Sequence, residues 1–418
     1  MAKQPQHRTW ISWIFPRTAN ATLTLAINLT LLALATPSLL GQTFTVLYSF
    51  TGNNDTGANP YAALIRDQAG NLYGTTLRSS STIANGTVFK LDAAGAPTIL
   101  HIFGSRGDGT KPYAGLLRDS WGNLYGMTPY GEGRKAANGV VYRIDTTGKE
   151  TLLHRFTGGN DGGNPRGGLI RDDAGNLYGG TRLGGTHGCG VVFKIKNSVE
   201  TVLYSFTGSE VNNDGCSLAG DLVRDEVSGN LYGTTSFGGN LPSCGTVFKL
   251  DTGGNETILH AFNCSGATDG SEPQAGLILD SVGYLYGTTM NSSPTGAGTV
   301  FKIDTAGSSY SILYTFSGGA DGGTPLGPVI MDKAGNLYGT TRYGGNLSCN
   351  APLGCGVVFK LDSKGSETVL HTFSFGADGA LPSAGLARDG VGNLYGTAPR
   401  GGSTACPSGC GVVFKITP

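Results

Sequence analysis

Charge is scarce in this chain. Charged residues are 14% of the 418, and 29 Lys and Arg balance 29 Asp and Glu; the usual charged share is about 25%. A chain so balanced carries no electrostatic footprint for nucleic acid or for an anionic membrane surface. Beyond residue 40 no apolar run approaches the roughly 20 residues of a membrane span. Three catalytic signatures are missing as well: the Gly-x-Ser-x-Gly elbow, His-Glu-x-x-His and the phosphate loop. What abounds is glycine, at 70 residues. Each one costs about 1 kcal/mol in a helix relative to Ala, which excludes long helices. An apolar share of 39% still fills a packed core and excludes wholesale disorder. Many short strands joined by tight turns remain as the reading.

The N-terminus is a different kind of sequence. Lys3, Arg8 and Arg17 precede an apolar run at 23–35, and small residues follow. That order reads as a secretory signal peptide over residues 1–41, cleaved after Ala35 or after Gly41. The alternative is an uncleaved N-terminal anchor. Residues 42–418 are then one exported domain with no membrane contact after cleavage.

That domain is one unit written seven times. The string Gly-Asn-Leu-Tyr-Gly-Thr-Thr stands at 70–76, 229–235 and 335–341, with near copies at 122–128, 175–181, 283–289 and 392–398. Its tyrosines are spaced by 52, 53, 54, 54, 52 and 57 residues. A second string, of the form Gly-Thr-Val-Phe-Lys-Leu, follows each copy, and a third, Val/Ile-Leu-Tyr/His-x-Phe, closes each unit. Their β-branched and aromatic residues suit strands, and the short Asp- and Gly-bearing turns make neighbours antiparallel. In the third unit the four strands are expected at 167–172, 176–181, 191–196 and 200–206. About 53 residues cannot cover both faces of such a sheet, whereas radial stacking does. The expected fold is all-β: a seven-bladed propeller of four-stranded antiparallel blades. Strand 43–50 is a fourth strand without its unit and 412–416 a third strand without its partner, so pairing them completes blade seven and closes the ring. A linear solenoid has no need of such complementary ends. Pro328 is expected in the first strand of blade six, lining the channel as an edge.

The strings resemble the Gloeo/Verruco tandem repeat of exported bacterial proteins, over about residues 43–418. The resemblance implies an extracytoplasmic bacterial propeller and brings no activity with it. More distantly, Asp-x-x-Gly-Asn-Leu-Tyr is similar to the NHL and streptogramin-lyase-like propellers, a likeness of fold alone.

A ring of meanders sorts its connections onto two faces. The turns after strands one and three share one face and are short. The segments after strand two, such as 77–85, 129–138 and 342–354, share the other with the links between blades. Binding usually lives in such loops on a rigid scaffold, and Tyr130, His187, Phe237 and Tyr343 are the candidate ligand residues there. Each link carries one Asp: Asp55, Asp108, Asp161, Asp214, Asp269, Asp321 and Asp378. A ring of carboxylates is a weak candidate for Ca²⁺. A role needed in every blade points instead to a carboxylate capping its own turn, so no metal and no cofactor is assigned. A second series, Asp67, Asp119, Asp172, Asp225, Asp280, Asp332 and Asp389, is expected to cap the short turns. His101, His154, His260 and His371 take the strand-four position that Tyr48, Tyr204 and Tyr314 hold elsewhere, as packing residues. Glu132, Glu210 and Glu272 are unique to their loops, with no sign that any two converge. Arg134-Lys135 reads as a solvated patch.

All eight cysteines fall on the loop face. In an exported chain an even count reads as disulfides. Cys349–Cys355 and Cys406–Cys410 are local mates. Cys189 and Cys244 have none, but Cys216 and Cys264 follow in the next links, so Cys189–Cys216 and Cys244–Cys264 are expected. The competing pair is Cys216–Cys244, and a zinc site is the other alternative. The functional expectation is a secreted or cell-surface, non-catalytic binding or scaffold propeller. It acts as a monomer on extracellular carbohydrate or protein. The alternative is an extracytoplasmic hydrolase or lyase acting on a polysaccharide or small exported substrate.

Overall fold

The computed structural model describes residues 42–418 except 53–55, 79–84, 105–106, 132–137, 209–210, 212, 219, 240–242, 265–268 and 293–295. Asp55, Glu132, Glu210, Arg134, Lys135 and the expected signal peptide lie outside the described residues.

Seven antiparallel sheets follow one another in chain order, each with its earliest strand innermost except the sheet that joins the chain ends. Blade three shows the plan: Ile170–Arg171, Leu177–Gly180, Val191–Lys196 and Val199–Ser205, paired in that order. Blade seven is assembled from both ends of the domain. Its strands Ala387–Arg388, Leu394–Ala398 and Val412–Thr417 are completed by Thr43–Ser49, with Thr43 opposite Thr417 and Ser49 opposite Val412. The ring is closed by the N-terminal strand, as its orphan position in the repeat requires.

The repeated glycine and the repeated aromatic explain each other. Gly74 lies opposite Phe89 across the second and third strands. A Cβ on Gly74 would stand 2.7 Å from the Phe89 ring, so only glycine lets the ring lie flat on the sheet. Each such ring then receives the edge of the Phe that closes the preceding blade. These T-shaped pairs are Phe50–Phe89, Phe103–Tyr142, Phe156–Phe193, Phe206–Phe248, Phe262–Phe301, Phe316–Phe359 and Phe373–Phe414, with centroids 5.1–5.4 Å apart. One contact thus staples all seven blade junctions, the junctions on both sides of the closing blade included. Edge-to-face pairs contribute about 0.5–1.5 kcal/mol each beyond their buried area.

Two details differ from the sequence expectation. The innermost strands are two residues long rather than six; blade three has only Ile170–Arg171. The residues before them crowd the axis: a Cβ on Gly167 would stand 2.3 Å from the Gly220 carbonyl oxygen. Backbone meets backbone of the next blade there, and Pro328 in blade six precedes the strand Ile330–Met331 instead of belonging to it. Blade four also gains a fifth strand, Gly215–Leu218, paired with Leu231–Gly238. Leu218 stands where the other six blades carry Pro, and a residue with an N–H can join a ladder that proline cannot.

Candidate functional site

The link into each blade ends at that Pro, or at Leu218, and the next residues descend into the channel. The two after the first are small in most blades, such as Ala62-Ala63 and Ala275-Gly276, because neighbouring backbones touch at this level. The first residue after the Pro has room, and it differs around the ring: Tyr61, Tyr113, Arg166, Gln274, Leu326 and Ser383 in the blades described at this position. Together with Arg182 and Arg342, which follow the second strands of blades three and six, these side chains line a cavity of about 320 Å³ at the loop-face mouth. Below it, a throat of about 120 Å³ touches residues of all seven blades, which places both on the ring axis.

The mouth is rich in cationic donors. Arg166 stacks over Tyr113 at 5.2 Å, Arg342 over Tyr343 at 5.4 Å, and the Arg182 Nε donates to Ser217 Oγ at 2.9 Å. The Nε atoms of Arg166 and Arg342 are buried and meet no acceptor among the described residues. Burial lowers the Arg182 pKa, and the charge of Arg166 lowers it further, a sign of two guanidiniums sharing one space. Burial raises the Tyr113 hydroxyl, nearby Tyr61 adds to that, and Arg166 and Arg342 pull it back. The Tyr61 and Tyr113 rings lie 5.6 Å apart and tilted by 50°. Among the described residues the ion pairs belong to Arg224 and to four histidines, so none of the three mouth arginines has a carboxylate partner. Among the described residues that line the throat the one carboxylate is Asp221, where the other blades carry Ala, Gly or Pro. It accepts the Gly168 N–H, and burial raises its pKa.

The sequence-predicted ligand residues lie elsewhere on the loop face. Tyr130 and Tyr343 occupy one repeat position, bridged to Thr110 and Gly323, and Phe237 pairs with Cys216 and is exposed. Tyr343 borders the mouth, its ring under the Arg342 guanidinium, and Tyr130 is close enough to act on Tyr113 and Arg182. His187 is exposed in its loop, its Nδ1 2.9 Å from the Thr186 hydroxyl. None of the four lines the cavity. Glu272 serves through its backbone, its N–H bonded to the Cys244 carbonyl.

The link aspartates turn out to be joined to strand four. Asp161 accepts the Thr157 N–H and hydroxyl, Asp378 those of Ser374, and Asp214 the Thr207 and Gly208 N–H groups. Each described one also meets the ring of its own blade. His101, His154, His260 and His371 lie 2.9–3.5 Å from Asp108, Asp161, Asp269 and Asp378. Tyr204 and Tyr314 donate to Asp214 and Asp321. The histidines therefore pack, as His101 does on Phe103, and also tie the link down. That explains why only His or Tyr, aromatic donors of similar reach, fill the position. Among the described residues no three His, Cys, Asp or Glu side chains converge as metal ligands. In the second series Asp67 accepts the Asn71 N–H, its amide and the Tyr73 hydroxyl. The cysteines are joined as Cys189–Cys216, Cys244–Cys264, Cys349–Cys355 and Cys406–Cys410.

Sequence reasoning pointed to the loop face around the channel mouth and passed over the residues that line it. The signal was present: the position directly after the link proline changes chemistry from blade to blade, while the two that follow are small in most blades.

The Gloeobacter/Verrucomicrobia repeat matches residues 35–223 and again 219–418. No curated protein is similar in sequence. Among solved structures the chain is similar to the extracellular domain of a one-component system from B. thetaiotaomicron, at 9% identity and TM-score 0.54, covering 88% of this chain and 39% of that one. It is also similar to oligogalacturonate lyase in complex with manganese, at 11% identity and TM-score 0.53, over 90% and 96% of the two chains. A puromycin-hydrolysing peptidase from Mycobacterium tuberculosis matches at 12% identity and TM-score 0.50, over 85% and 52%. The chain thus spans about half or less of two of these three proteins. At such identities the likeness is one of fold.

Proposed function

The chain belongs to the Gloeobacter/Verrucomicrobia repeat family, and within it we propose an exported, non-catalytic binding protein that holds its ligand at the loop-face mouth of the channel. The observation that carries this reading is the cavity of about 320 Å³, lined by the position after the link proline and the position after strand two, both of which vary around the ring. Its volume falls within the usual range for small-molecule sites, and its lining is polar apart from Leu326. Two tyrosine rings, a glutamine and a serine suit a saccharide or an extended protein segment. Export is supported by the four disulfides, which persist in oxidising compartments, and by the signal-like sequence at 1–41. The similar one-component system domain is extracellular by its name.

The test is a binding screen of the exported chain against oligosaccharides and extracellular proteins, with bound material recovered and weighed. Retention of an unaltered ligand that Tyr113→Ala and Gln274→Ala both weaken supports the reading. A cleaved or unsaturated product favours the hydrolase or lyase alternative. Binding indifferent to both substitutions removes the mouth as the site.

A further inference from the structure

We propose that the mouth selects an acidic saccharide, with its carboxylate held by Arg166, Arg182 and Arg342 and its hydroxylated part pointing down the channel. This deepens the preceding reading and rests on the mouth being the ligand site.

The argument begins with unspent donors. A guanidinium presents five N–H groups in a fixed fork that matches a carboxylate two bonds at a time. Three such groups line one cavity, and no described carboxylate lies within ion-pair distance of any of them. Two of them keep a buried Nε without an acceptor, a group that costs free energy until an acceptor arrives. The repeat does not require these arginines: the corresponding positions elsewhere hold Tyr, Gln, Leu and Ser after the proline, and Leu, Pro, Ser and Met after strand two. Blades three and six alone supply them. Arg166 and Arg182 are like charges lining one cavity; burial lowers the Arg182 pKa and the Arg166 charge adds to it, and an anion relieves both.

The rest of the cavity describes the rest of the ligand. The Tyr61 and Tyr113 rings offer faces for the C–H side of a sugar ring, and Gln274 and Ser383 offer donors and acceptors for hydroxyls. Asp221 stands beneath, in the throat. Its carboxyl exchanges hydrogen bonds with hydroxyl groups, so the hydroxylated end points inward while the anionic end stays at the arginines. A bare sulfate or phosphate leaves Asp221 and the tyrosine faces unused. An acidic peptide is the other polyanion with such reach, but the mouth contains one apolar side chain, Leu326, and so lacks pockets for a peptide's apolar groups.

Calorimetry on the exported chain tests this with a panel of acidic oligosaccharides: uronate oligomers, their methyl esters of equal length, and sialylated and sulfated glycans. Inorganic phosphate and a tetraglutamate peptide serve as further probes. The expected result is binding of at least one carboxylated saccharide, at least about tenfold weaker for its ester or neutral counterpart, since charged hydrogen bonds exceed the factor-of-ten threshold. Arg166→Gln and Arg342→Gln should each weaken the acid by about tenfold or more, leave the ester little changed, and not lower the melting temperature of the unliganded protein. Failure of every carboxylated saccharide to bind overturns the proposal, as does preference for phosphate, sulfate or the peptide. Neutral saccharides that bind as well as acidic ones, and are lost in Tyr113→Ala, refute the charge but keep the mouth. Acidic saccharides that bind equally to both arginine variants and to Tyr113→Ala refute the mouth itself.

Discussion

Blade two breaks the aromatic rule in a way that can be measured. Its third strand carries Tyr142 where the other six carry Phe, and the side chain is fully buried. The hydroxyl meets no hydrogen-bond partner among the described residues, and it points at Gly126, where an added Cβ would lie 2.3 Å away. Burial accordingly raises its pKa far above that of free tyrosine. A buried unsatisfied hydroxyl costs about 1–3 kcal/mol. Tyr142→Phe removes that cost and restores the ring used in every other blade. The vacated oxygen leaves a small void that offsets part of the gain. A net stabilisation of about 1 kcal/mol is expected. In a domain of roughly 380 residues the unfolding entropy is large, so the melting temperature rises by only about 1–2 °C. The better assay is guanidinium unfolding, which reads the midpoint at constant slope. The converse change, Phe193→Tyr in blade three, should destabilise by a similar amount. A clear loss of stability in Tyr142→Phe would refute the reasoning, since it would mean that the hydroxyl is satisfied in the folded protein.

The remaining predictions concern charge, cross-links and closure. Glu200, Glu256 and Glu367 are pushed up to about 7, first by burial and then by the charges of Asp161, Asp214 and Asp321 across the blade junctions. The folded state therefore binds protons that the unfolded chain, at about 4.5, releases, so stability should fall as pH rises from about 4.5 through 7. These groups are half-exposed, and screening leaves about 1 kcal/mol each; the triple Glu→Gln variant should flatten the slope seen in urea titrations at pH 5 and 8. Cys189–Cys216 closes 27 residues and Cys406–Cys410 closes 4. Replacing each pair by Ser should cost roughly 3.5 and 2 kcal/mol by loop-closure entropy, and equal losses in denaturant would contradict that ranking. Deleting residues 42–60 removes the outer strand of blade seven, the stacking of Phe44 on His371 at 3.6 Å and the Phe50–Phe89 staple. The shortened chain should lose its cooperative melt, and an unchanged melt would refute closure by that strand.

The fold was legible because a seven-fold repeat averages away local ambiguity. Periodic tyrosines count the blades, and the unpaired strand units at 43–50 and 412–416 name the closure. Strand lengths near the axis were not legible: Gly167 and Gly220 look like ordinary strand or turn glycines until neighbouring backbones are seen to touch. The fifth strand of blade four hung on one substitution, Leu218 for Pro, which was visible but carried no obvious consequence alone. The link aspartates were recognised as turn caps, while their bonds to His101 or Tyr204 cross from link to strand four and emerge only in three dimensions. The mouth residues were hidden by a choice of signal. Aromatics in long loops, such as Tyr130 and Phe237, attract attention as outliers in length. Arg166 sits in a short, regular segment whose single varied position is the informative one, and the convergence of Arg182 and Arg342 on it depends on ring geometry.

The central claim, that this propeller works through the loop-face mouth of its channel, is tested most directly by hydrogen exchange with and without a bound acidic oligosaccharide. Protection is expected in the segments around Tyr61–Ala63, Tyr113–Gly115, Arg166, Arg182 and Arg342, with none in the opposite turns around Asp67 and Asp119. Protection confined to those turns, or to the outer loops at Phe237 and His187 with the mouth segments unchanged, would contradict the account.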